Sequence, residues 1–245
     1  MTIKQAMVLA AGLGTRMRPI TDTIPKPLVK IAGRPMIDYA LDALADAGVE
    51  KAVVNIHYLA DQMLDHLSSY QRMEILISDE REQLMNSGGG LAKGLKLLDG
   101  GAVFVMNADL FWIGEQEGMP TNLERLGDFF DPKRMDMALL CVELEDTTGH
   151  NGKKDFSLAA DARLNRYAED MPRPVVYAGA IVMNASLFDD APSDAFNLNI
   201  YFDRAIERGR LYGMVLQGHW LTVGTPEAIG EAEETIRRIQ ATVST

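Results

Sequence analysis

The sequence predicts a single α/β domain with a Rossmann-like, mixed and mostly parallel sheet that carries helices on both faces. Short apolar runs alternate with segments of helical periodicity over the first 110 residues, which is typical of parallel sheets covered by helices. The chain has 245 residues, of which 47% are hydrophobic and 24% charged, as in an ordinary globular protein. No segment has the composition of a linker, so we expect one domain over residues 1–245.

The individual elements follow from the apolar runs and the residues that break them. The segment from Gly14 to Pro27 holds three prolines, too many for a helix, whereas Pro35 stands where a helix begins and Gly48 where it ends. In the first half we predict strands at 7–11, 51–56, 74–77 and 103–106, and helices from 35 up to Gly48, at 60–67 and at 88–98. After about residue 110 the pattern is less regular, and we predict strands at 138–144 and 176–183, helices at 198–207 and 226–239, and an exposed loop at 146–155.

The chain is acidic overall but basic at its start. Its formal net charge is −11, which argues against a surface that grips nucleic acid or an anionic membrane. Residues 1–34 nevertheless carry six basic side chains and one acidic side chain, Asp22. A local basic patch on an acidic protein suits a small anion, so we expect neither nucleic acid nor a membrane as partner.

Cysteine usage and hydropathy indicate a reducing compartment. Cys141 is the only cysteine, so no internal disulfide can form, and the four histidines offer no zinc-binding spacing. No apolar run reaches the roughly 18 residues of a transmembrane helix, and the short run at 6–13 ends before Arg16 and Arg18 and is interpreted as a buried strand. We therefore expect a cytoplasmic protein.

A glycine-rich turn follows the first predicted strand. Gly12 and Gly14 place backbone N–H groups at the carboxyl end of the strand with no side chains in the way, and such a nest binds phosphate oxygens. Thr15 and Arg16 come next, and a guanidinium can pair with phosphate through two hydrogen bonds. The spacing is neither a Walker A loop nor a full dinucleotide-binding fingerprint, because position 17 is Met17. The alternative is a tight turn without a ligand.

Two charged side chains stand out beside this turn. Lys26 lies between Pro25 and Pro27, which stiffen the backbone and would position the ammonium group at little entropic cost, although a solvated loop lysine is the alternative. Asn107 and Asp109 follow the fourth predicted strand, at the edge where ligands bind in open α/β sheets. Asp109 could hold Mg²⁺, which prefers one or two carboxylates together with phosphate and water, or it could belong to an ordinary turn.

Three consecutive glycines, Gly88 to Gly90, follow Ser87 at a predicted helix start. Glycines let a flat ligand such as a nucleobase lie against the backbone, and the alternative is a flexible turn or a plain helix N-terminus. Glu80, seven residues before Ser87, is a candidate contact for a ribose or base.

Together these groups indicate a reaction class. Basic side chains near a glycine loop can hold a triphosphate, a bound Mg²⁺ can neutralise the α-phosphate, and Lys26 can stabilise the charge that develops during in-line attack. Phosphoryl and nucleotidyl transfers depend mainly on such positioning and electrostatics. No Ser/His/Asp or Cys/His arrangement stands out, and His219 is interpreted as structural.

Residues 7–35 resemble the signature of the sugar-phosphate nucleotidyltransferases. They run from Met-Val-Leu-Ala-Ala-Gly-Leu-Gly-Thr-Arg-Met-Arg-Pro through Pro-Lys-Pro-Leu-Val to Gly-Arg-Pro. The pair Gly88-Gly89, Asn107-Ala-Asp109, Gly179 and the Gly-His-Trp-Leu-Thr-Val-Gly stretch at 218–224 fit the same family, so the resemblance spans essentially the whole chain. The His150–Phe156 loop and the Gly-His-Trp stretch make the chain most similar to the short N-acetylmuramate-1-phosphate uridylyltransferases of peptidoglycan recycling.

This resemblance implies that a nucleoside triphosphate, here UTP, reacts with a sugar 1-phosphate, here N-acetylmuramate 1-phosphate, to give a nucleotide sugar and pyrophosphate with Mg²⁺ as cofactor. It implies catalytic roles for Arg16, Lys26 and Asp109, with Asp109 also the metal ligand. The implied nucleotide-binding residues are Ala11, Gly12, Gly14, Thr15, Glu80, Gly88 and Gly89, and the implied sugar-phosphate-binding residues are Asn107, Gly179 and Thr222. Residues 1–110 would form the nucleotide-binding half and residues 111–245 the sugar-phosphate-binding half.

Two departures from the family pattern bear on the substrate. Thr222 stands where relatives often have a second metal-binding aspartate, and 169–172 reads Glu-Asp-Met-Pro where many relatives have Glu-Lys-Pro. They leave open a mannose-1-phosphate guanylyltransferase or another sugar-1-phosphate nucleotidyltransferase with the same chemistry. Thr222 also leaves open a non-catalytic homologue that senses nucleotide sugars, although Arg16, Lys26 and Asp109 are all present.

Overall fold

The computed structural model describes the backbone of residues 2–243 and the side chains of residues 2–241. The strands are β1 Gln5–Leu9, β2 Lys30–Ile31, β3 Arg34–Pro35, β4 Lys51–Ile56, β5 Glu74–Asp79, β6 Ala102–Asn107, β7 Leu110–Ile113, β8 Met137–Val142, β9 Thr147–Thr148, β10 Phe156–Leu158, β11 Leu164–Arg166, β12 Pro174–Asn184, β13 Leu211–Val215 and β14 His219–Thr222. The α-helices are α1 Met36–Asp46, α2 Ala60–Ser68, α3 Asn86–Leu95, α4 Asn122–Phe129, α5 Asn199–Glu207 and α6 Glu227–Val243.

A mixed central sheet organises the molecule, and the predicted α/β fold class is confirmed. Strands β5, β4, β1 and β6 lie side by side and are all parallel, with Val8 of β1 opposite Val54 on one side and Met106 on the other. The long strand β12 then joins β6 in antiparallel orientation and continues the sheet into β10 and β11, while β8 and β13 branch from it. The carboxyl ends of β1, β4 and β6 therefore meet at one edge of the sheet.

Helices cover both faces of this sheet because the buried side chains of β1 alternate between them. Ala6 and Val8 belong to a core that includes Leu41 of α1 and residues of α2 and α4. Met7 points to the opposite face and belongs to a second core with Leu91 of α3 and residues of α5. A third, smaller core packs α6 against a three-stranded sheet of β7, β14 and β9.

The sequence prediction was wrong at the start of the loop 146–155. Thr147 and Thr148 form β9, which pairs in parallel with β14, and the Thr148 side chain is buried. The Thr148 hydroxyl lies 2.8 Å from Nε2 of His219 and 3.3 Å from the hydroxyl of Thr235 in α6. These partners lie 71 and 87 residues further along the chain. The local sequence is polar and does not reveal them, which is why it predicted an exposed loop.

Helix α4 and strand β7 were not predicted, and helix α3 is displaced. Thr121 caps α4 in a capping box with Glu124, a signature readable in the sequence as Thr-Asn-Leu-Glu. Helix α3 begins at Asn86, two residues before its predicted start, and ends at Leu95, three residues before its predicted end. None of the described helices is long and apolar enough to span a bilayer.

The lone cysteine gives a first test of this packing. Cys141 of β8 is fully buried, and burial together with the charge of Asp155 raises the pKa of its thiol. Because the thiolate is the reactive form, we expect the native protein to resist an aromatic disulfide reagent at neutral pH and to react once unfolded in guanidinium. Rapid labelling of the native protein would contradict the packing around β8.

Candidate active site

A cleft of about 540 Å³ opens at the carboxyl ends of β1, β4 and β6. This is the edge at which open α/β sheets bind ligands. Its walls come from the glycine loop, the segment around Lys26, the loop between β5 and α3, and the turn after β6. The lining residues are Leu9, Ala10, Ala11, Gly12, Lys26, Pro27, Asn55, Glu80, Leu84, Asn86, Ser87, Asn107, Ala108, Asp109 and Ala195.

The glycine loop forms one wall with its backbone. Ala11 and Gly12 line the cleft, and a methyl group placed on Gly12 would have no atom within 4 Å. Within the described part of the chain, the backbone N–H groups of residues 11–14 donate no hydrogen bond, so they are available to an anion. Gly14 has a positive φ of 64°, and a Cβ there would lie 3.0 Å from Cβ of Lys26. Gly14 therefore lets the loop pack directly against Lys26.

Lys26 and Asp109 form an ion pair on the cleft wall. Nζ of Lys26 lies 2.5 Å from Oδ2 of Asp109. The lysine side chain is 10% exposed and the aspartate side chain 39% exposed, so the carboxylate is the more accessible member. Lys26 begins a short 3₁₀ turn, Lys26–Leu28, whose N-cap is Pro25. The two prolines around Lys26 thus fix the turn that directs its ammonium group into the cleft.

Only one carboxylate is open to a metal in this cleft. No three His, Cys, Asp or Glu side chains among residues 2–241 lie close enough together to hold a metal ion. Asp109 and Asn107 line the cleft, and carboxylate and amide oxygens suit Mg²⁺. The donor set fits a Mg²⁺ ion that completes its coordination with ligand phosphates and water, and does not fit a metal held by protein alone.

Glu80 lies at the opposite end of the cleft and is 1% exposed. Its carboxylate accepts hydrogen bonds from Nδ2 of Asn55 at 2.7 Å and from the backbone N–H of Met85 at 2.9 Å. Asn55 in turn accepts a 2.6 Å hydrogen bond from the backbone N–H of Ala10. The structure thus brings Glu80 to the cleft, with both carboxylate oxygens engaged by the protein.

Gly88 and Gly89 do not line the cleft. Their backbone N–H groups both donate to the carbonyl oxygen of Phe196, at 2.8 and 3.2 Å. A Cβ on Gly88 would come within 2.3 Å of the Phe196 ring, and one on Gly89 within 3.0 Å of the Asp194 carbonyl oxygen. The structure therefore uses these glycines to seat the segment 194–198 on the first turn of α3.

Thr15, Arg16 and Thr222 lie outside the cleft lining. Thr15 and Arg16 are exposed in the 3₁₀ turn Thr15–Met17, and the Arg16 guanidinium lies against Gly224, where an added Cβ would be 3.3 Å from Nη1. Thr222 ends β14 opposite Leu110, the residue after Asp109. The structure thus places Thr222 on the strand beside the Asp109 turn.

Gly179 lies against Leu110, the residue that follows Asp109, and so supports the Asp109 turn. It has a positive φ of 81° at an irregularity in β12, and a Cβ there would lie 2.5 Å from the Leu110 side chain. Gly179 is buried and does not line the cleft. Its lack of a side chain allows Leu110 to pack next to Asp109.

This close approach predicts a large stability effect. We expect Gly179→Ala to lower the free energy of unfolding by about 2–4 kcal/mol, because it combines a left-handed backbone with overpacking. Gly152→Ala is the matched control, since Gly152 has a φ of 77° but nothing within 4 Å of its added Cβ, and should cost about 1–2 kcal/mol. Urea unfolding measures both, and equal losses would contradict the Leu110 contact.

His219 has a structural environment. It lies on β14 with Nε2 bonded to Thr148, outside the cleft lining. Burial lowers the pKa of its imidazole, with the charge of Asp146 opposing the shift. A neutral ring that holds β9 to β14 accounts for this residue.

Four residues that line the cleft lie outside every motif that the sequence analysis singled out: Asn55, Leu84, Asn86 and Ala195. Asn55 left a signal, because it interrupts an apolar buried strand near its carboxyl end. Ala195 left none, since its place depends on how the segment 194–198 folds back onto α3, more than 100 residues away in the chain.

Comparisons with known proteins identify the family of the chain. Residues 5–148 match the family model described as nucleotidyl transferase. The chain is 40% identical over 234 residues to the N-acetylmuramate alpha-1-phosphate uridylyltransferase of Caulobacter vibrioides, covering 94% of this chain and 96% of that protein. It is 28% identical to the mannose-1-phosphate guanyltransferase of Saccharomyces cerevisiae, covering 91% of this chain and 62% of that protein.

A solved structure shares the fold over nearly the whole chain. The putative glucose-1-phosphate thymidylyltransferase from Bacillus anthracis, in complex with a sucrose, superimposes with a TM-score of 0.78 at 15% identity. The match covers 96% of this chain and 95% of that one.

Proposed function

The chain belongs to the nucleotidyl transferase family and is a sugar-1-phosphate nucleotidyltransferase, and we propose that it transfers the uridylyl group of UTP to N-acetylmuramate α-1-phosphate. The choice of these two substrates rests on the 40% identity to the Caulobacter vibrioides uridylyltransferase, which extends over nearly the full length of both proteins. The nucleotide sugar and pyrophosphate are the products. We place the reaction in peptidoglycan recycling and in the cytoplasm, and the absence of any possible internal disulfide in a chain with one cysteine is consistent with the second assignment.

The observation that carries the proposed chemistry is the Lys26–Asp109 pair beside the glycine loop. An oxygen of the sugar 1-phosphate attacks the α-phosphorus of UTP, and the bond from that phosphorus to the bridging oxygen of pyrophosphate breaks. Negative charge builds up on the α-phosphate oxygens during this displacement. The Lys26 ammonium, held almost fully out of water, is placed to stabilise that charge, and the open N–H groups of residues 11–14 are placed to bind phosphate.

Asp109 is the residue that would hold Mg²⁺ together with the nucleotide phosphates. The metal, when bound, supplies charge neutralisation at the α-phosphate. Asp109 would hold the ion through the carboxylate that is open to the cleft, and the Lys26 ammonium beside it would face the phosphate oxygens. The single open carboxylate supports one protein-bound metal, with Asn107 beside it.

The remaining residue roles are proposals of the same kind. Arg16 contacts the β- and γ-phosphates from the exposed turn after the glycine loop. Gly179 and Thr222 act on the sugar phosphate through the Asp109 turn that they support. Residues 1–110 bind the nucleotide and residues 111–245 bind the sugar phosphate.

Two alternatives use the same site. The similarity to the yeast mannose-1-phosphate guanyltransferase favours the same chemistry on a different base and sugar. A non-catalytic sensor of nucleotide sugars is the other, favoured by Thr222 at the position where relatives often carry an acid.

Pyrophosphate release tests the substrate assignment. The protein is incubated with Mg²⁺, each of four nucleoside triphosphates, and a panel that includes N-acetylmuramate, N-acetylglucosamine, glucose and mannose 1-phosphates. We expect release with UTP and N-acetylmuramate 1-phosphate. Release only with GTP and mannose 1-phosphate would transfer the assignment to the guanylyltransferases, and nucleotide binding without release on any pair would favour the sensor.

A further inference from the structure

Asn55 and Glu80 form a buried polar pair that the proposed chemistry does not use. Their side chains are buried, with 3% and 1% of each residue exposed, yet both residues line the cleft. Burying a carboxylate is costly unless it is hydrogen-bonded. Here the two donors to Glu80 are neutral groups, the Asn55 amide and the Met85 N–H, and the latter lies at the N-terminus of α3, where the helix dipole favours an anion.

Three hydrogen bonds form a continuous series across the floor of the cleft and converge on the Glu80 carboxylate from both sides. The Ala10 N–H donates to Oδ1 of Asn55, Nδ2 of Asn55 donates to Oε1 of Glu80, and the Met85 N–H donates to Oε2. Ala10 begins the glycine loop. Met85 lies between Leu84 and Asn86, which line the opposite wall. The chain therefore ties one wall of the cleft to the other.

Close packing holds this series of hydrogen bonds in place. A Cβ on Gly90 of α3 would come within 2.7 Å of both Nδ2 of Asn55 and Oε1 of Glu80, so the helix lies directly on the pair. The backbone of Glu80 is fixed as well, because its N–H donates to the carbonyl of Ile56 and its carbonyl lies 2.7 Å from Nδ1 of His57. The backbone of α3 and the fixed backbone of Glu80 therefore constrain the pair from two sides.

We propose that Asn55 is a positioning residue for nucleotide binding, whose amide sets the distance between the glycine loop and the loop 80–87. This inference rests on the proposed function for the identity of the ligand, a nucleoside triphosphate. Glu80 acts together with Asn55, because its carboxylate accepts the hydrogen bond from the Met85 N–H and so fixes the loop 80–87. Because the pair does not reach Lys26 or Asp109, its loss weakens nucleotide binding and leaves the affinity for the sugar phosphate unchanged.

Each isosteric single replacement breaks the chain at one point. Asn55→Asp sets a second carboxyl group against Oε1 of Glu80, and the hydrogen bond between them then requires a bound proton, so the nucleotide affinity of this variant should fall further as the pH is raised. Glu80→Gln places an NH₂ group against either Nδ2 of Asn55 or the Met85 N–H, so one donor loses its acceptor. We expect each variant to bind magnesium–nucleotide at least tenfold more weakly than the unmodified protein.

The double exchange restores every hydrogen bond, but residue 80 now donates the hydrogen bond to residue 55, whereas Asn55 donates to Glu80 in the unmodified protein. In Asn55→Asp/Glu80→Gln, the new carboxylate accepts from the Ala10 N–H and from the new amide, and the amide oxygen accepts from the Met85 N–H. The number and direction of backbone contacts are unchanged. We expect the double variant to bind nucleotide within about threefold of the unmodified protein, although each single variant is impaired.

Calorimetric titration tests the inference, with each protein titrated with the magnesium–nucleoside triphosphate that the unmodified protein binds most tightly. Asn122→Asp is the matched control. Asn122 is also buried and brackets the backbone of Gln217 with both amide atoms, but it lies outside the cleft lining. The control should lose thermal stability, as the single variants do, without a change in nucleotide affinity.

The outcomes separate the inference from the proposed function. Single variants that bind nucleotide as well as the unmodified protein, or a double variant no better than the singles, would overturn the role of Asn55. A loss of affinity in Asn122→Asp equal to that in Asn55→Asp would also overturn it, because the effect would then follow from lost stability. Failure of the unmodified protein to bind any nucleotide would instead overturn the proposed function.

Discussion

Lys26→Met is expected to lower kcat about 10²–10³-fold, the cost of removing one donor that stabilises transition-state charge. Methionine keeps the length and apolar stem of the side chain, so the 3₁₀ turn Lys26–Leu28 should persist. Asp109 loses its partner, but its side chain is 39% exposed and can be solvated. Steady-state pyrophosphate release measures the effect.

Lys30→Met is the control for this prediction. Lys30 is an exposed lysine four residues later in β2, within the same basic segment. Its loss should leave kcat within about twofold if position, and not the general positive charge of residues 1–34, is what matters. A Lys26→Met enzyme with nearly normal kcat would remove the ammonium group from the mechanism.

Asp109→Asn is expected to lower kcat/KM by roughly three orders of magnitude and to raise the Mg²⁺ concentration needed for half-maximal rate. An amide is a neutral and weaker Mg²⁺ ligand, and the described residues hold no group of three or more His, Cys, Asp or Glu side chains that could bind the ion instead. The substitution therefore removes the only carboxylate of the cleft that is open to a metal ion. Mg²⁺ titrations of the rate at saturating nucleotide measure it.

Asp99→Asn is the matched control, because Asp99 also pairs with a lysine, Lys51, at 2.8 Å, but with a side chain that is 73% exposed. Exposed pairs of this kind contribute little to stability. The control should keep the kcat and the Mg²⁺ requirement of the unmodified protein. If Asp109→Asn also kept its Mg²⁺ requirement, the metal would have to bind elsewhere.

The first half of the fold was predictable because its elements are local. Apolar strands with a clear period, the start of α1 after Pro35 and its end before Gly48 all depend on neighbouring residues, and the structure follows them closely. The small sheet of β7, β9 and β14 was not predictable in this way. Its strands are two to four residues long, and β7 and β9 lie far away in the chain from β14 and α6, against which they pack.

The candidate site was partly predictable for the same reason. Ala11, Gly12, Lys26, Asn107 and Asp109 follow strand ends or prolines, and the parallel sheet brings them together in one cleft. The glycines of α3 illustrate the limit. Their pattern predicts a surface for a base, which stays a prediction, and the structure adds the Phe196 ring and carbonyl against them, a long-range contact that no local signal carries.

The central claim is that the α-phosphorus of the nucleotide is the atom transferred, and the fate of a radiolabel tests it most directly. With N-acetylmuramate 1-phosphate and UTP labelled at the α-phosphorus, the label should appear in the nucleotide sugar. With UTP labelled at the γ-phosphorus, it should appear in pyrophosphate. Label from the γ-position in the sugar product, or release of inorganic phosphate in place of pyrophosphate, would contradict the account.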